Sequence, residues 1–315
     1  MQRWGKTVAK TVRFRCPSCH KSSIRKRSDV TKTSRYQLFL LWLTGTKSLT
    51  EIAQGRHISR QSLAVWFRPF RKTCPVPLVP EENAAVLVID GLYLESRYHC
   101  VLIGKTPRAV VSWLFAERET YGSWRLFCQR VPAPRVVVCD GQRGMRSAIR
   151  YMWPQTRIQR CIVHVFQLAT ARLTKRPKTT AGQSLRILVH QLFAIHTRRQ
   201  KRRWIRAYRR WRKRHDRFLK ERTIGQQPDK KRTWWYTHKR IRSVRSLLDN
   251  ALPELFVYIG HPEIPRTTNH VEGGINSRLS ELLYRHRGIS LEKKEVLVAT
   301  FLSRKQGEKP TRNFT

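Results

Sequence analysis

Two short segments constrain this chain most: Val86-Leu87-Val88-Ile89-Asp90 and Val136-Val137-Val138-Cys139-Asp140. Each is an apolar run of strand length that stops at an aspartate followed by glycine. A run this apolar offers no polar face to solvent, so it predicts a strand covered on both sides, as in a parallel pair. A carboxylate at the carboxyl end of such a strand points into the crevice where α/β sheets collect ligands. Only six Asp stand against 65 Lys plus Arg, so two at matching strand ends read as a metal-binding pair. Strand-end Asp-Gly is also a common tight turn, and for either motif taken alone that alternative stays open.

Charge narrows the class of partner. The 315 residues carry a formal net charge of +45, which repels itself in the folded state and calls for a polyanion whose neutralisation releases counterions. Nucleic acid is the expected partner. A membrane is not, because no apolar stretch reaches spanning length and no signal peptide is expected. Hydrophobic residues at 40%, with ten Trp and twelve Phe, exclude a disordered chain and predict two or three domains. Seven cysteines scattered through core-like segments fit reduced thiols in a cytoplasmic, nucleoid-associated protein.

Residues 1–30 are basic and contain Cys16-Pro17-Ser18-Cys19-His20. A Cys-x-x-Cys turn is half of a zinc ribbon, and a closed Zn²⁺ site needs four ligands. His20 offers a third, so the segment reads as a partial zinc ribbon or an exposed basic arm. Residues 31–78 read as helical. Tyr36, Leu38, Leu40, Leu41 and Leu43 form one apolar helix. Ser48 caps a second helix, with Glu51 completing a capping box. After Gly55-Arg56-His57-Ile58, Ser59 caps a third helix from Arg60 to about Arg68, with Leu63, Trp66 and Phe67 packing inward. Two short helices around a glycine-containing turn predict a helix-turn-helix offering Arg60, Gln61 and Ser62 to base edges. An ordinary helical hairpin is the alternative.

From residue 84 the pattern changes to strands: Ala84 to Ile89, Arg97 to Ile103 and Ala109 to Phe115. A helix from Tyr121 to Val131, a strand from Arg135 to Cys139, a helix from Met145 to Trp153 and a strand from Arg157 to Val163 follow. Three meandering strands and then alternating helices and strands give an α/β fold in the order of a ribonuclease H-like core with a mixed five-stranded sheet. In that order the first and fourth strands are parallel neighbours about 4.8 Å apart, which brings Asp90 and Asp140 together. Residues 165–265 form a basic all-helical insertion, whose positions 198–222 hold fourteen Lys or Arg. Trp204, Tyr208, Trp211 and Phe218 follow a helical stripe and are expected to pack inward. Arg202, Arg203, Arg206, Arg209, Arg210 and Lys213 are left to track phosphates. The catalytic domain then comprises 79–164 and 266–292, with Arg278 facing DNA. Residues 293–315 read as a basic C-terminal segment, frayed from Arg304.

Two-metal phosphoryl transfer usually recruits a further carboxylate. Among fourteen Glu, Glu272 stands out: Thr267-Thr268-Asn269 supplies N-caps, and Glu272 falls in the first turn of the helix that follows, where the ionised form is favoured. Asn276 lies one turn on along the same face. Glu95 is the rival, with Glu263 and Glu281 behind it.

Asp90-Gly91, Asp140-Gly141 with Ala148-Ile149, Trp153-Pro154, Gln159-Arg160-Cys161-Ile162-Val163-His164 and Thr267-Thr268-Asn269-His270-Val271-Glu272-Gly273-Gly274 together resemble the Mutator-like DDE transposases of bacterial insertion sequences. His286-Arg287-Gly288 looks like a downstream element of part of that group. The resemblance implies a ribonuclease H-like core interrupted by a helical insertion, with Asp90, Asp140 and Glu272 holding two Mg²⁺ (or Mn²⁺) ions. It also implies a Cys-x-x-His element, Cys161 and His164, near the metal site. The expected partners are double-stranded DNA, both element ends and target, and a second or further copies of the chain. A non-catalytic DNA-binding protein is the alternative.

Overall fold

The computed structural model describes residues 1–8, 10–24, 28–45, 47–78, 83–95, 98–225, 234–269 and 272–307, with the side chains of 28–31, 272–273 and 307 outside that description. The chain divides into two compact units, Met1–Cys74 and Pro75–Thr315.

The first unit opens with an antiparallel sheet of β1 (Gln2–Lys6), β2 (Val12–Arg15) and β3 (Ser22–Ile24). The sequence did not announce these strands, because β1 and β3 are exposed throughout and carry no apolar alternation. Three helices follow: α1 (Ser28–Thr44), α2 (Leu49–Gln54) and α3 (Arg60–Lys72). Both expected caps form. The Ser48 hydroxyl accepts from the Glu51 N–H while the Glu51 carboxylate accepts from the Ser48 N–H, and Ser59 accepts from the Ser62 N–H. Helix α3 outruns its expected end at Arg68 and continues through Pro69. Proline costs the helix a hydrogen bond, but the Phe70 ring lies 5.2 Å from Tyr36 and 5.6 Å from Phe39, which holds the last turn against α1. Phe39, Leu43, Leu63 and Phe67 are fully buried and form the centre of this unit.

The second unit is built on a five-stranded mixed sheet in the order β6-β5-β4-β7-β8. Its strands are β4 (Val86–Glu95), β5 (Tyr98–Lys105), β6 (Val110–Ala116), β7 (Val136–Cys139) and β8 (Arg157–Arg160). The first three run antiparallel, and β4, β7 and β8 run parallel. Helices α4 (Tyr121–Gln129) and α5 (Arg143–Met152) cover one face. There Leu87, Ile89, Val137 and Cys139 pack with Trp124, Phe127, Met145 and Ile149. Val86, Val88, Val136 and Val138 point the other way and are buried too, so the two apolar runs are covered on both faces.

Two strand ends differ from expectation. Strand β4 does not stop at Asp90: its parallel ladder with β7 covers Val86–Val88, while its antiparallel ladder with β5 runs on through Asp90 to Glu95. Strand β8 ends at Arg160, not Val163. Its last rung joins the Cys161 N–H to the Cys139 carbonyl at 2.7 Å, and with no β7 residue beyond to pair with, the chain turns into α6 (Ile162–Leu173). His164 therefore sits in the first turn of a helix, with Cys161 at its N-cap.

Helices α7 (Thr180–His190), α8 (Arg198–Arg214) and α9 (Asp216–Lys220) come next, and α10 (Lys239–Ala251) packs back on α6. The expected all-helical insertion is interrupted by an antiparallel hairpin of β9 (Arg222–Ile224) and β10 (Trp234–Tyr236). Trp204, Tyr208 and Trp211 are buried along α8, with neighbouring rings inclined by only 14° and 7°. Gln159 ties this region to the sheet: its amide donates to the Leu255 carbonyl and accepts from the Val257 and Tyr258 N–H groups. The last described helices are α11 (Ser277–Arg285) and α12 (Leu291–Gly307). Arg304 to Gln306 belong to the last turns of α12, not to a frayed tail. The Gln306 amide donates to the Leu78 and Val111 carbonyls at 2.7 and 2.8 Å. No described helix is long and apolar enough to cross a membrane.

Leu87 is fully buried at the middle of the sheet, so Leu87→Ala is expected to destabilise this unit by about 2–5 kcal/mol, read from urea unfolding.

Candidate active site

Register brings the two aspartates level. Val88 of β4 stands opposite Val138 of β7, so two residues further on Asp90 and Asp140 reach the same height on neighbouring strands. Because β7 ends at Cys139 while β4 continues, a crevice opens beside Asp90 where a ladder partner would otherwise lie. Asp90 is 9% exposed. Its carboxylate accepts a 2.7 Å hydrogen bond from the Asn276 amide, across 186 residues of chain. Asn276 closes a π-helix, Glu272–Asn276, that leads into α11. The Asn276 carbonyl oxygen is buried with no hydrogen-bond partner among the described residues. The Asp140 carboxylate accepts from the Gln142 N–H at 2.8 Å. Gly141 takes φ +85°, and a Cβ there would collide with the Arg160 guanidinium, so this turn needs glycine.

The segment that carries Glu272 is docked at its near end as well. The Ile162 N–H donates to the Arg266 carbonyl at 3.1 Å. The Thr268 N–H and hydroxyl both donate to the Cys161 sulfur at 3.4 Å, and the Thr268 hydroxyl meets the His164 ring at 3.5 Å. Burial pushes the Cys161 thiol up, but hydrogen bonds from His164 and Thr268 outweigh it and leave its pKa below the ordinary value. Cys161 and His164 thus anchor the 266–268 segment. The Glu272 side chain lies outside the described residues. Its backbone stands four residues before Asn276, at the other end of the same π-helix.

Sequence reasoning missed Glu119, in the turn before α4. Its carboxylate packs on Gly91, where a Cβ would overlap it. Burial, with the Asp140 charge adding to it, raises its pKa from 4.5 to about 7. No motif marks Glu119. The rival glutamates are engaged elsewhere: Glu95 with Lys294 at 2.9 Å, Glu263 with His261 at 3.4 Å, and Glu281 with Arg285 at 3.8 Å.

Asp90, Asp140 and the Asn276 carbonyl oxygen are hard oxygen donors, the set that suits Mg²⁺ or Mn²⁺. Among the described residues no three His, Cys, Asp or Glu side chains gather closely enough to hold a metal ion. At the N-terminus, Cys16 and Cys19 flank the β2–β3 turn. Hydrogen bonds from the Cys19 and Ser18 N–H groups hold the Cys16 thiol at about 7. Two thiols fill half of a tetrahedral site. The expected DNA-facing side chains, Arg60 and Gln61 on α3, Arg202, Arg203, Arg206, Arg209, Arg210 and Lys213 on α8, and Arg278 on α11, are all exposed.

Residues 81–224 match the Mutator family of transposases. The match spans Asp90, Asp140, Cys161, His164 and α8, and ends ahead of Glu272. Among individual relatives, a transposase for insertion sequence element IS905 of Lactococcus lactis is 33% identical over 100 residues, 27% of this chain and 26% of that protein. A probable insertion-sequence transposase of Corynebacterium diphtheriae is 28% identical over 79 residues, 24% of this chain and 23% of that protein. The alignments thus span about a quarter of each relative's length.

Between pH 4.5 and about 7 the folded protein holds a proton on Glu119 that the unfolded chain releases, so this group makes stability fall as pH rises through that window. Glu119→Gln is expected to flatten the decline, measured by urea unfolding in metal-free buffer across that range.

Proposed function

We propose that the chain is an insertion-sequence transposase that binds terminal inverted repeats and catalyses metal-dependent DNA cleavage and strand transfer through Asp90, Asp140 and Glu272. The observation that carries this reading is the convergence of Asp90 and Asp140, which lie in a stretch that matches a transposase family, with the Asn276 end of the Glu272 helix. In this reading residues 79–164 and 266–292 are a ribonuclease H-like catalytic domain, and 165–265 an insertion that grips DNA. Residues 31–78 are a helix-turn-helix whose α3 presents Arg60 and Gln61 to base edges. A dimer or larger assembly on DNA is expected, since two element ends have to be held together, in the nucleoid of a bacterial cytoplasm.

Asp90, Asp140 and Glu272 would hold Mg²⁺ or Mn²⁺, which when bound activates an attacking oxygen and stabilises a leaving oxygen at phosphorus. The chain's own groups do the positioning. Asn276 fixes the Asp90 carboxylate, the Gln142 N–H orients Asp140, and the Thr268–Cys161 contacts hold the approach to Glu272. Exposed arginines on α8 neutralise phosphates, and each ion pair formed there adds to the salt dependence of binding.

Asp140→Asn is expected to leave binding of element-end DNA intact while cleavage in Mg²⁺ or Mn²⁺ falls on the order of 10²–10³-fold or more. Gel-shift and nicking assays on the same DNA read both. A wild-type protein that binds but never cuts would overturn the catalytic reading and leave a non-catalytic DNA-binding role.

A further inference from the structure

Between the β9–β10 hairpin and α10 lies a hollow of about 470 Å³ lined by Trp235, Tyr236, Lys239, Arg242, Arg245 and Asp249. That volume is within the roughly 300–1,000 Å³ of ligand pockets. Two further hollows share wall residues with it. A cavity of about 560 Å³ shares Lys239 with it and adds Arg172, Arg176, Lys178 and Arg240. Another of about 390 Å³ shares Arg245 and adds Arg209, Arg212 and Lys213. Cationic walls therefore continue on both sides of an aromatic centre.

Electrostatics alone does not account for that centre. A surface that only tracks duplex phosphates needs Lys and Arg, and paired bases keep their faces stacked on one another. A half-buried tryptophan within a cationic groove is what an unpaired base needs, since each base has a π-face to lay on a ring while its phosphates meet the flanking cations. The ring available is Trp235. Tyr236 is already committed: Arg242 sits 3.4 Å above it and is fixed by donating to the Leu219 carbonyl at 2.6 Å. Over Trp235 stands the exposed Lys239 ammonium, 5.1 Å from the ring centre, a long side chain able to swing from the ring to a phosphate. Pairing of Trp235 with Thr223 across the hairpin holds the tryptophan backbone. The carboxylate in the hollow does not repel an anion unaided: Asp249 accepts from the Tyr208 hydroxyl at 2.9 Å and pairs with Arg212 at 3.2 Å and Arg245 at 3.6 Å.

We propose that this hollow captures an unpaired base of a DNA strand on the Trp235 ring, with the neighbouring phosphates held by Lys239 and Arg245. The DNA-handling reading supplies only the identity of the polymer. The capture itself rests on the hollow.

The full chain is titrated with a short fluorescently labelled single strand of DNA and with a duplex of the same sequence, read by anisotropy. Trp235→Ala is expected to weaken single-strand binding about 5- to 150-fold, the loss of one stacked base, while duplex binding stays within about twofold. Trp235→Phe, which keeps a ring, is expected to restore most of the single-strand affinity, so a folding defect is distinguishable. A fluorescent 2-aminopurine in the single strand is expected to be quenched by the wild type and not by Trp235→Ala. Equal losses on both DNAs, no loss on either, or tighter binding of the matching RNA strand would overturn the proposal. Each of those results leaves the cleavage test of Asp140 standing, and a failed cleavage test leaves this one standing.

Discussion

The parallel register of β4 against β7 is the constraint on which the site depends. Two carboxylates drawn from fifty residues apart become neighbours because Val86–Val88 pairs with Val136–Val138, and a slip of one residue would turn Asp90 toward the α4–α5 face. That register is enforced by burial on both sides of the sheet, where every valine of the two runs is lost to solvent. Glu119 registers the cost of gathering carboxylates here: burial, with the Asp140 charge adding to it, raises its pKa. A bound divalent cation reverses the sign of this local field. The Asp90–Asn276 hydrogen bond matters for the same reason: a neutral amide holds the carboxylate in place without cancelling its charge.

In a chain this basic, several carboxylates elsewhere are engaged in structural pairs. Glu254, 7% exposed, pairs with Arg146 and Arg150 and so joins the end of α10 to α5. Gln159 fastens the same junction through three backbone partners. Arg160, buried between Gly141 and this cluster, has its pKa lowered by burial and by Arg146. The basic helical region is thus bolted to the sheet a few residues from Asp140, through buried polar contacts whose loss would leave unpaired groups in a low-dielectric interior. That connection gives the DNA-gripping faces proposed above a fixed relation to the crevice.

Legibility followed physical strength of signal. The strands around Asp90 and Asp140, the Ser48 and Ser59 caps and the inward stripe of α8 were readable because each rests on a short-range rule: apolar runs, capping chemistry, helical period. The β1–β3 sheet was not, since exposed strands carry no burial pattern. The turn of the Gln159–His164 segment from strand to helix was hidden because it depends on where β7, a distant segment, stops supplying partners. Helix α12 was masked by its basic last turn, although Val296, Leu297, Val298 and Leu302 are buried. Glu119 and the β9–β10 hollow arise only from tertiary placement, so no local pattern marks them. Asn276 was legible as the residue one turn beyond Glu272, and its bond to Asp90 gives that spacing its meaning.

The central claim is that one cation-binding centre is assembled from Asp90, Asp140 and Glu272. Its most direct test is anomalous diffraction from crystals soaked in Mn²⁺. The account predicts manganese density in the crevice at the end of β7, ligated by all three carboxylates and lost when Asp140 is replaced by Asn. Manganese bound without Glu272, or density absent from the crevice while present elsewhere on the chain, would contradict it.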